Sequence, residues 1–329
     1  MPTPRPLLTL ALTTALLVPM LPGCAGGGPR IGGRTQVSRH LIDARKFREL
    51  GQDDSALAAL SLAIQDNPKL TEAYMGMGDI YRKKGQLPLA RERYETAATL
   101  EPQNYQAQYN HGLMLQLLGQ AKDAVRAYLQ ALSIAPESFE GNRDIASAYL
   151  QLGDPESSLP YALRSTELNP DSQPAWSNLA ATYSLMGRFE NAIDAYRTAN
   201  ELGELADPVL LGLADAHIRL GNYPRAINTL NSLIVSSPSA TAHERLGFAL
   251  FKIRRYEDAL EQFEQGLQHD TEDLASLNGA GACYMTLYLE GERENAAQRD
   301  KAIECWRRSV QLGPHQTRIV DLLSRYARV

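Results

Sequence analysis

The sequence predicts an all-α protein, built as a solenoid of short helix-turn-helix repeats. Two sets of helix-breaking residues recur with one period of 34 residues. The glycines of this series are Gly51, Gly85, Gly119, Gly153, Gly187 and Gly221. The prolines are Pro68, Pro102, Pro136 and Pro170, followed two periods later by Pro238. A fixed period of this length indicates stacked copies of one supersecondary unit.

Each half of the period predicts one amphipathic helix, because its apolar residues are spaced three and four apart. Gly85 and Gly119 are placed where the first helix of a unit ends, since a left-handed C-terminal cap is unstrained only for glycine. Pro102 and Pro136 are placed where the second helix ends. A single hairpin of two helices would leave an apolar face in water. Stacking buries that face continuously, which predicts a solenoid.

The residues at fixed positions in each period closely resemble the tetratricopeptide repeat (TPR). In that family an aromatic stands at position 4, leucine at 7, a small residue at 8, tyrosine at 11, glycine at 15, alanine at 20 and 27, an aromatic at 24 and proline at 32. The unit 173–206 matches with Trp176, Leu179, Ala180, Tyr183, Gly187, Ala192, Tyr196 and Ala199. Glu204 replaces the proline. The resemblance implies a right-handed solenoid whose first helices line a concave surface.

The period divides the chain into eight units and a capping helix. The predicted units are 37–70, 71–104, 105–138, 139–172, 173–206, 207–239, 240–273 and 274–316, followed by the cap at 317–329. In unit 4, Pro155 and Pro160 predict an irregular first turn of the second helix. Unit 8 contains a polar insertion near 288–300, for which a longer helix or a tolerated loop is favoured over a dedicated contact element. The cap is expected to pack through Ile319, Val320, Leu322, Leu323 and Tyr326.

Residues 1–23 are interpreted as an export signal, because an apolar run over 7–20 follows a single charge and is too short to span a bilayer. Leu21, Gly23 and Cys24 resemble the lipobox of bacterial lipoproteins, whereas Pro22 departs from it. The resemblance implies lipidation of Cys24, a flexible tether over 24–36 and, because Ala25 follows the cysteine, an outer-membrane location facing the periplasm. An uncleaved anchor and ordinary signal cleavage remain the alternatives.

Composition and motifs argue against nucleic-acid binding and against catalysis. The chain has 33 Lys and Arg against 38 Asp and Glu, a formal charge of −5, which is the wrong sign for a nucleic-acid partner. No nucleotide, hydrolase or metalloprotease motif occurs. His40, His111, His217 and His243 lie in four different units, and the spacing of the six histidines brings no two of them together as obvious metal ligands. We predict neither a metal site nor a cofactor. The protein is therefore not expected to be an enzyme.

Cys283 and Cys305 lie on the two helices of unit 8. An oxidising compartment would permit a disulfide between them. Two free thiols that pack as small apolar groups are the favoured interpretation.

The predicted function is a lipid-tethered scaffold that binds a partner protein or an extended peptide in its concave groove, and self-association remains open. In TPRs that bind extended peptides, the ligand contacts positions 2, 5, 6, 9, 12 and 13 of the first helices. Those positions hold Met75, Asp79, Tyr109, Asn110, Leu113, Arg143, Asp144, Asn178, Arg245, Phe248, Phe251 and Met285. By resemblance the process served is pilus assembly, peptidoglycan remodelling or outer-membrane protein insertion. A glycan- or peptidoglycan-binding module is the alternative, since Asn110 and Asn178 would line the groove.

Overall fold

The structure is a computed structural model that describes residues 39–327. These residues form seventeen α-helices and no strand. Sixteen of the helices form eight successive hairpins, and the last is a single helix at the C-terminal end. The predicted all-α repeat architecture with a capping helix is confirmed.

The hairpins alternate a first helix, with an odd number, and a second helix, with an even number. The first helices are α1 (Arg39–Glu49), α3 (Thr71–Lys83), α5 (Tyr105–Leu117), α7 (Phe139–Gln151), α9 (Gln173–Leu185), α11 (Asp207–Arg219), α13 (Ala240–Lys252) and α15 (Leu274–Glu290). The second helices are α2 (Asp53–Asp66), α4 (Leu87–Leu100), α6 (Ala121–Ile134), α8 (Pro155–Leu168), α10 (Phe189–Leu202), α12 (Tyr223–Ser236), α14 (Tyr256–His269) and α16 (Ala296–Leu312). The capping helix is α17 (Thr317–Tyr326).

The periodic glycines end the first helices in the left-handed conformation, as predicted. Their φ angles lie between 69° and 75°. The backbone N–H of Gly119 donates to the carbonyl of Gln116, and the N–H of Gln120 donates to the carbonyl of Leu115, both at 2.9 Å. This pair of bonds is the Schellman motif, which satisfies two of the carbonyls that the helix end leaves free.

Small residues let the two helices of a hairpin approach each other. A Cβ atom at Gly112 would lie 2.8 Å from the ring of Tyr128, so only glycine leaves space for that buried ring. In unit 5, Ala192 and Tyr196 are buried in one apolar cluster, and Trp176 packs against it. The aromatic slots therefore fill the space between hairpins, and the small slots set the helix separation.

The second helix of unit 4 is regular, so the prediction of an irregular first turn is wrong. Pro155 occupies the first position of α8, where a missing N–H costs nothing. The Asp154 side chain caps this turn by accepting from the Ser157 N–H at 3.1 Å. Pro160 lies inside α8 without interrupting it.

The insertion in unit 8 mainly lengthens the two helices of the hairpin. Both α15 and α16 have 17 residues, whereas first helices such as α13 have 13. The capping helix packs Ile319, Leu322 and Leu323 against the buried Trp306 cluster. Val320 is 43% exposed, so its predicted contact is wrong: it lies on the solvent side of α17.

The signal, Cys24 and the tether lie outside the described residues. Within 39–327, no helix is long and apolar enough to cross a membrane.

Candidate functional site

The twelve predicted groove residues all lie on first helices. Packing between neighbouring units brings these helices together: α5 contacts α7, α7 contacts α9, and the series continues through α11 and α13 to α15. The first helices therefore form one continuous surface, on which the predicted positions can be compared along the solenoid. We call this surface the groove.

The polar groove residues near the N-terminal end bind one another. Arg48 Nη2 donates to Asp79 Oδ2 at 3.1 Å, and the Tyr94 hydroxyl donates to Asp79 Oδ1 at 2.7 Å. Burial and the neighbouring carboxylate raise the pKa of Tyr94, so the hydroxyl stays protonated and donates. Asp79 thus has both carboxylate oxygens engaged within the protein.

A second internal network joins units 3, 4 and 5. The Tyr109 hydroxyl donates to Asp144 Oδ2 at 2.7 Å, and Arg143 Nε donates to Asp144 Oδ1 at 2.7 Å. Asn178 Nδ2 donates to the backbone carbonyl of Arg143 at 3.1 Å. The Tyr109 ring also stacks on that of Tyr105, with centroids 5.7 Å apart. Burial, together with Asp144, raises the pKa of Tyr109. These residues join adjacent hairpins to one another.

Three predicted groove residues are buried. Asp144 is 8% exposed and is engaged by Tyr109 and Arg143. Asn110 is 4% exposed, and its side-chain oxygen accepts from Gln106 at 3.0 Å. Met285 is also 4% exposed and packs with Ala302 and Trp306. The assignment of these three side chains to the exposed groove surface is wrong, because each of them is buried within the protein.

Two further predicted residues share their side chains with the core. Met75 and Leu113 are half-buried and pack against the cluster that contains Tyr94. The glycan-binding alternative depended on Asn110 and Asn178, and the side chains of both are engaged within the protein. The described groove therefore offers that alternative no additional support.

The C-terminal part of the groove contains an apolar pocket of about 310 Å³. Its walls are α13, with Phe248 and Phe251, and the capping helix, with Ile319 and Leu322; Phe263 lies between them. Phe248 is 36% exposed. Phe251 has two roles, since it packs edge-on against Tyr256 in the core and also lines the pocket. We call this site the C-terminal pocket.

A polar surface lined by Asp215, Arg219, Glu244 and Arg245 lies beside the C-terminal pocket, and we call it the polar shelf. Arg245 Nε donates to Asp215 Oδ1 at 2.8 Å, and Arg245 also pairs with Glu244. Burial raises the pKa of Glu244, against the opposing charge of Arg245. Arg245 is thus held by two carboxylates, so that it could bind a carboxylate of a ligand only by exchanging one of them.

Two side chains of the C-terminal pocket, Lys252 and Arg318, were missed from the sequence. Lys252 occupies position 13 of unit 7, one of the positions that contact peptides in TPRs, so the signal was present. Arg219 occupies position 13 of unit 6 and lines the adjoining polar shelf. Arg318 lies on the capping helix, which has no repeat register, so no periodic signal marked it.

Cys283 and Cys305 are both free, in agreement with the favoured interpretation of packed thiols. Both lie in the same apolar cluster. Burial raises the pKa of Cys283 to about 12 and that of Cys305 to about 11. The thiols therefore stay protonated near neutral pH, which makes them poor nucleophiles.

Two histidines of unit 7 lie in contact with each other. The rings of His243 and His269 stack with centroids 5.4 Å apart, and His243 Nδ1 lies 2.9 Å from Gln262 Oε1. Stacked rings do not converge on a common point as metal ligands do. Over the described residues, no group of three or more His, Cys, Asp or Glu side chains is suited to hold a metal ion.

Comparisons with known proteins agree with this geometry. Family profiles described as tetratricopeptide repeat match residues 105–138, 144–172, 161–194 and 211–275, and one described as TPR repeat matches 78–119. No curated protein matches the chain in sequence.

Three solved structures share the fold at low sequence identity. YrrB, described as a TPR protein with an unusual peptide-binding site, is 17% identical, with a TM-score of 0.50 over 60% of this chain and 98% of YrrB. A tetratricopeptide repeat protein from Parabacteroides merdae is 19% identical, with a TM-score of 0.52 over 74% of this chain and 97% of that one. PilF of Pseudomonas aeruginosa is 18% identical, with a TM-score of 0.51 over 60% and 90%. Since the profiles together match more than half of the chain, and the helices follow the repeat throughout 39–327, the chain belongs to the tetratricopeptide repeat family.

Proposed function

We propose that the protein is a non-catalytic interaction scaffold of the bacterial envelope, which binds an extended segment of a partner protein along its groove. Proteins of this family bind peptides and other proteins, and YrrB is a structural relative described as having a peptide-binding site. Cys24 tethers the scaffold to the outer membrane, facing the periplasm.

The observation that carries the proposal is the C-terminal pocket. Its volume of about 310 Å³ lies at the lower end of the range of about 300–1,000 Å³ that is typical of ligand sites, and it would hold one large side chain. Phe248 is partly exposed at its wall, although aromatic side chains are usually covered in a protein without a partner at that site. Aromatic residues that line a central pocket are typical anchors of protein interfaces.

A peptide selection tests the binding function. A random dodecapeptide library displayed on phage would be selected on the immobilised protein, and the affinity of enriched peptides measured by fluorescence polarisation. Phe248→Ala should lower the affinity for these peptides by about thirtyfold, which corresponds to the loss of about 2 kcal/mol that is typical of an interface anchor.

Leu129→Ala is the matched control. Leu129 is 40% exposed, close to the value for Phe248, but lies on the second helix α6, away from the groove. It should leave affinity unchanged. Failure to enrich any peptide, or equal losses in the two variants, would contradict groove binding.

The tether has a separate test. Cys24→Ala should abolish labelling of the protein by an alkyne fatty acid and release it from the outer-membrane fraction. Unchanged labelling and fractionation of Cys24→Ala would refute the lipid tether without affecting the groove proposal.

A further inference from the structure

We infer that the C-terminal pocket and its polar shelf select an acidic internal segment that carries one large apolar side chain. This rests on the proposed function and deepens it, since it names the chemistry of the bound segment. The apolar side chain enters the C-terminal pocket, and carboxylates on either side of it pair with Arg219, Lys252 and Arg318.

The interior of the pocket is apolar because two elements remote in sequence contribute to it. A Cβ atom at position 279 would lie 2.3 Å from the ring of Phe263, so Gly279 is what allows that ring to reach the pocket. The capping helix supplies Ile319 and Leu322 on the opposite side. A site with these walls favours a large aliphatic or aromatic side chain, because burying a charge there would be costly.

The carboxylate that lines the pocket, Glu244, is engaged by Arg245, whereas other cations around the pocket have no carboxylate partner within residues 39–327. Among the described residues, Arg219, Lys252 and Arg318 have no carboxylate within salt-bridge distance, and the Lys252 ammonium lies 5.1 Å from the centroid of the Phe248 ring. The two acidic groups nearby, Asp215 and Glu244, are both engaged by Arg245. Two cations without a carboxylate partner in this range, Lys252 and Arg318, therefore line one apolar pocket, and a third, Arg219, lies on the adjoining polar shelf. The formal charge of the whole chain is −5.

The N-terminal end of the solenoid gives the internal comparison. A pocket there is also lined by cations, but each is paired: Arg45 with Glu72, Arg48 with Asp79 and Lys83 with Asp53. Its cations are thus neutralised within the protein. Of these two pockets, the C-terminal one combines an apolar anchor site with cations that lack a carboxylate partner in the described part of the chain, and this combination is complementary to acidic segments.

The chosen probe is a fluorescein-labelled, C-amidated nonapeptide with a central phenylalanine flanked on each side by two aspartates. A second probe carries lysines in place of the aspartates, and a third carries serine in place of the phenylalanine. Fluorescence anisotropy should show that the wild-type protein binds the aspartate probe at least about tenfold more tightly than either of the others. Binding should weaken as the salt concentration rises, because exposed ion pairs are screened.

Charge reversal tests the assigned cations. Lys252→Glu and Arg318→Glu should each weaken the aspartate probe by about fivefold or more, since an exposed ion pair becomes a like-charge contact. The double variant should prefer the lysine probe. Arg307→Glu is the control, because Arg307 is an exposed arginine of α16 that does not line the pocket. Circular dichroism checks that each variant is folded.

The outcomes separate this inference from the proposed function. Equal affinity for the aspartate and lysine probes, or the same loss in Arg307→Glu as in Lys252→Glu, would overturn the acidic assignment. If library peptides bind through Phe248 but carry no acidic residues, the groove function stands and this inference fails. If no peptide binds at all, both fail.

Discussion

Arg254→Gly is expected to stabilise the seventh hairpin. Arg254 ends α13 in the left-handed conformation, with a φ of 64°, where six other first helices have glycine. Its turn makes the same two bonds as theirs: the Arg254 N–H donates to the Phe251 carbonyl, and the Arg255 N–H to the Leu250 carbonyl, both at 3.0 Å. The turn is therefore formed fully, but by a residue that is strained in it.

The magnitude follows from two opposing free energies. The left-handed conformation costs a non-glycine residue about 1–2 kcal/mol, and glycine avoids this cost. Glycine loses more backbone freedom on folding, which costs about 0.5–1 kcal/mol. Arg254→Gly should therefore raise the free energy of unfolding by about 0.5–1 kcal/mol. The converse change, Gly119→Ala, should lower it by a similar amount, and no steric contact adds to it, since a Cβ atom at Gly119 meets nothing within 4 Å.

Hydrogen exchange followed by mass spectrometry is the appropriate assay, because repeat arrays do not always unfold in one cooperative step. Amides of α13 and α14 should exchange more slowly in Arg254→Gly, and those of α5 and α6 faster in Gly119→Ala. If Arg254→Gly accelerates exchange in unit 7, the strain argument is refuted. In that case the arginine side chain contributes more than its backbone conformation costs.

Three further changes test the core. Ala192→Leu should lower the free energy of unfolding by about 1–3 kcal/mol, because the larger side chain overpacks a fully buried helix crossing, and an unchanged melting curve would contradict the repeat register. Burial, together with the charge of Arg225, lowers the pKa of His217, and its buried Nδ1 has no hydrogen-bond partner among the described residues. As the pH falls below about 6.5, the unfolded chain therefore binds a proton before the folded protein does, and the free energy of unfolding decreases. His217→Leu should raise the free energy of unfolding by about 1–3 kcal/mol, and in urea titrations it should lose less of that free energy between pH 7 and pH 5 than the wild type does. Parallel pH profiles of variant and wild type would contradict this reasoning. The buried Cys283 should react with a disulfide reagent at pH 8 only after unfolding in guanidinium, and the partly exposed Cys305 should react slowly; prompt reaction of both thiols in the native protein would contradict this packing.

The repeat and its turns could be predicted because their causes are local in sequence. A glycine such as Gly119 fixes the end of a helix through bonds that span only five residues. The prediction for unit 4 failed for a related reason. From the sequence, Pro155 and Pro160 are expected to disturb a helix, but whether proline does so depends on its exact position. Pro155 occupies the first position of α8, where proline is well tolerated.

Burial of the groove residues was harder to predict, since position within a repeat does not determine the direction of each side chain. Met285 and Phe251 both occupy position 12 of their units. Met285 is buried against Trp306 in the lengthened hairpin of unit 8, whereas Phe251 is half-buried and lines the C-terminal pocket. The insertion and the cap change the surroundings of the last unit, and neither change has a counterpart in the units before it.

Two contacts between groove residues of neighbouring units follow one separation that can be read from the sequence. The Tyr109 hydroxyl donates a hydrogen bond to Asp144, and the Asn178 amide donates one to the carbonyl of Arg143. The two residues of each pair are 35 positions apart in the sequence, which is one repeat period plus one residue. A polar groove residue with a complementary partner at this separation is therefore used to join two hairpins. Lys252 has no acidic residue 35 positions away on either side, and Arg318 lies beyond the last unit. Ion pairs between groove residues use other separations, 31 residues for Arg48 and Asp79 and 30 for Arg245 and Asp215. Lys252 has no acidic residue at these separations either, in agreement with its lack of a carboxylate partner within 39–327. The sequence thus already contains the reason why Lys252 is left for a ligand.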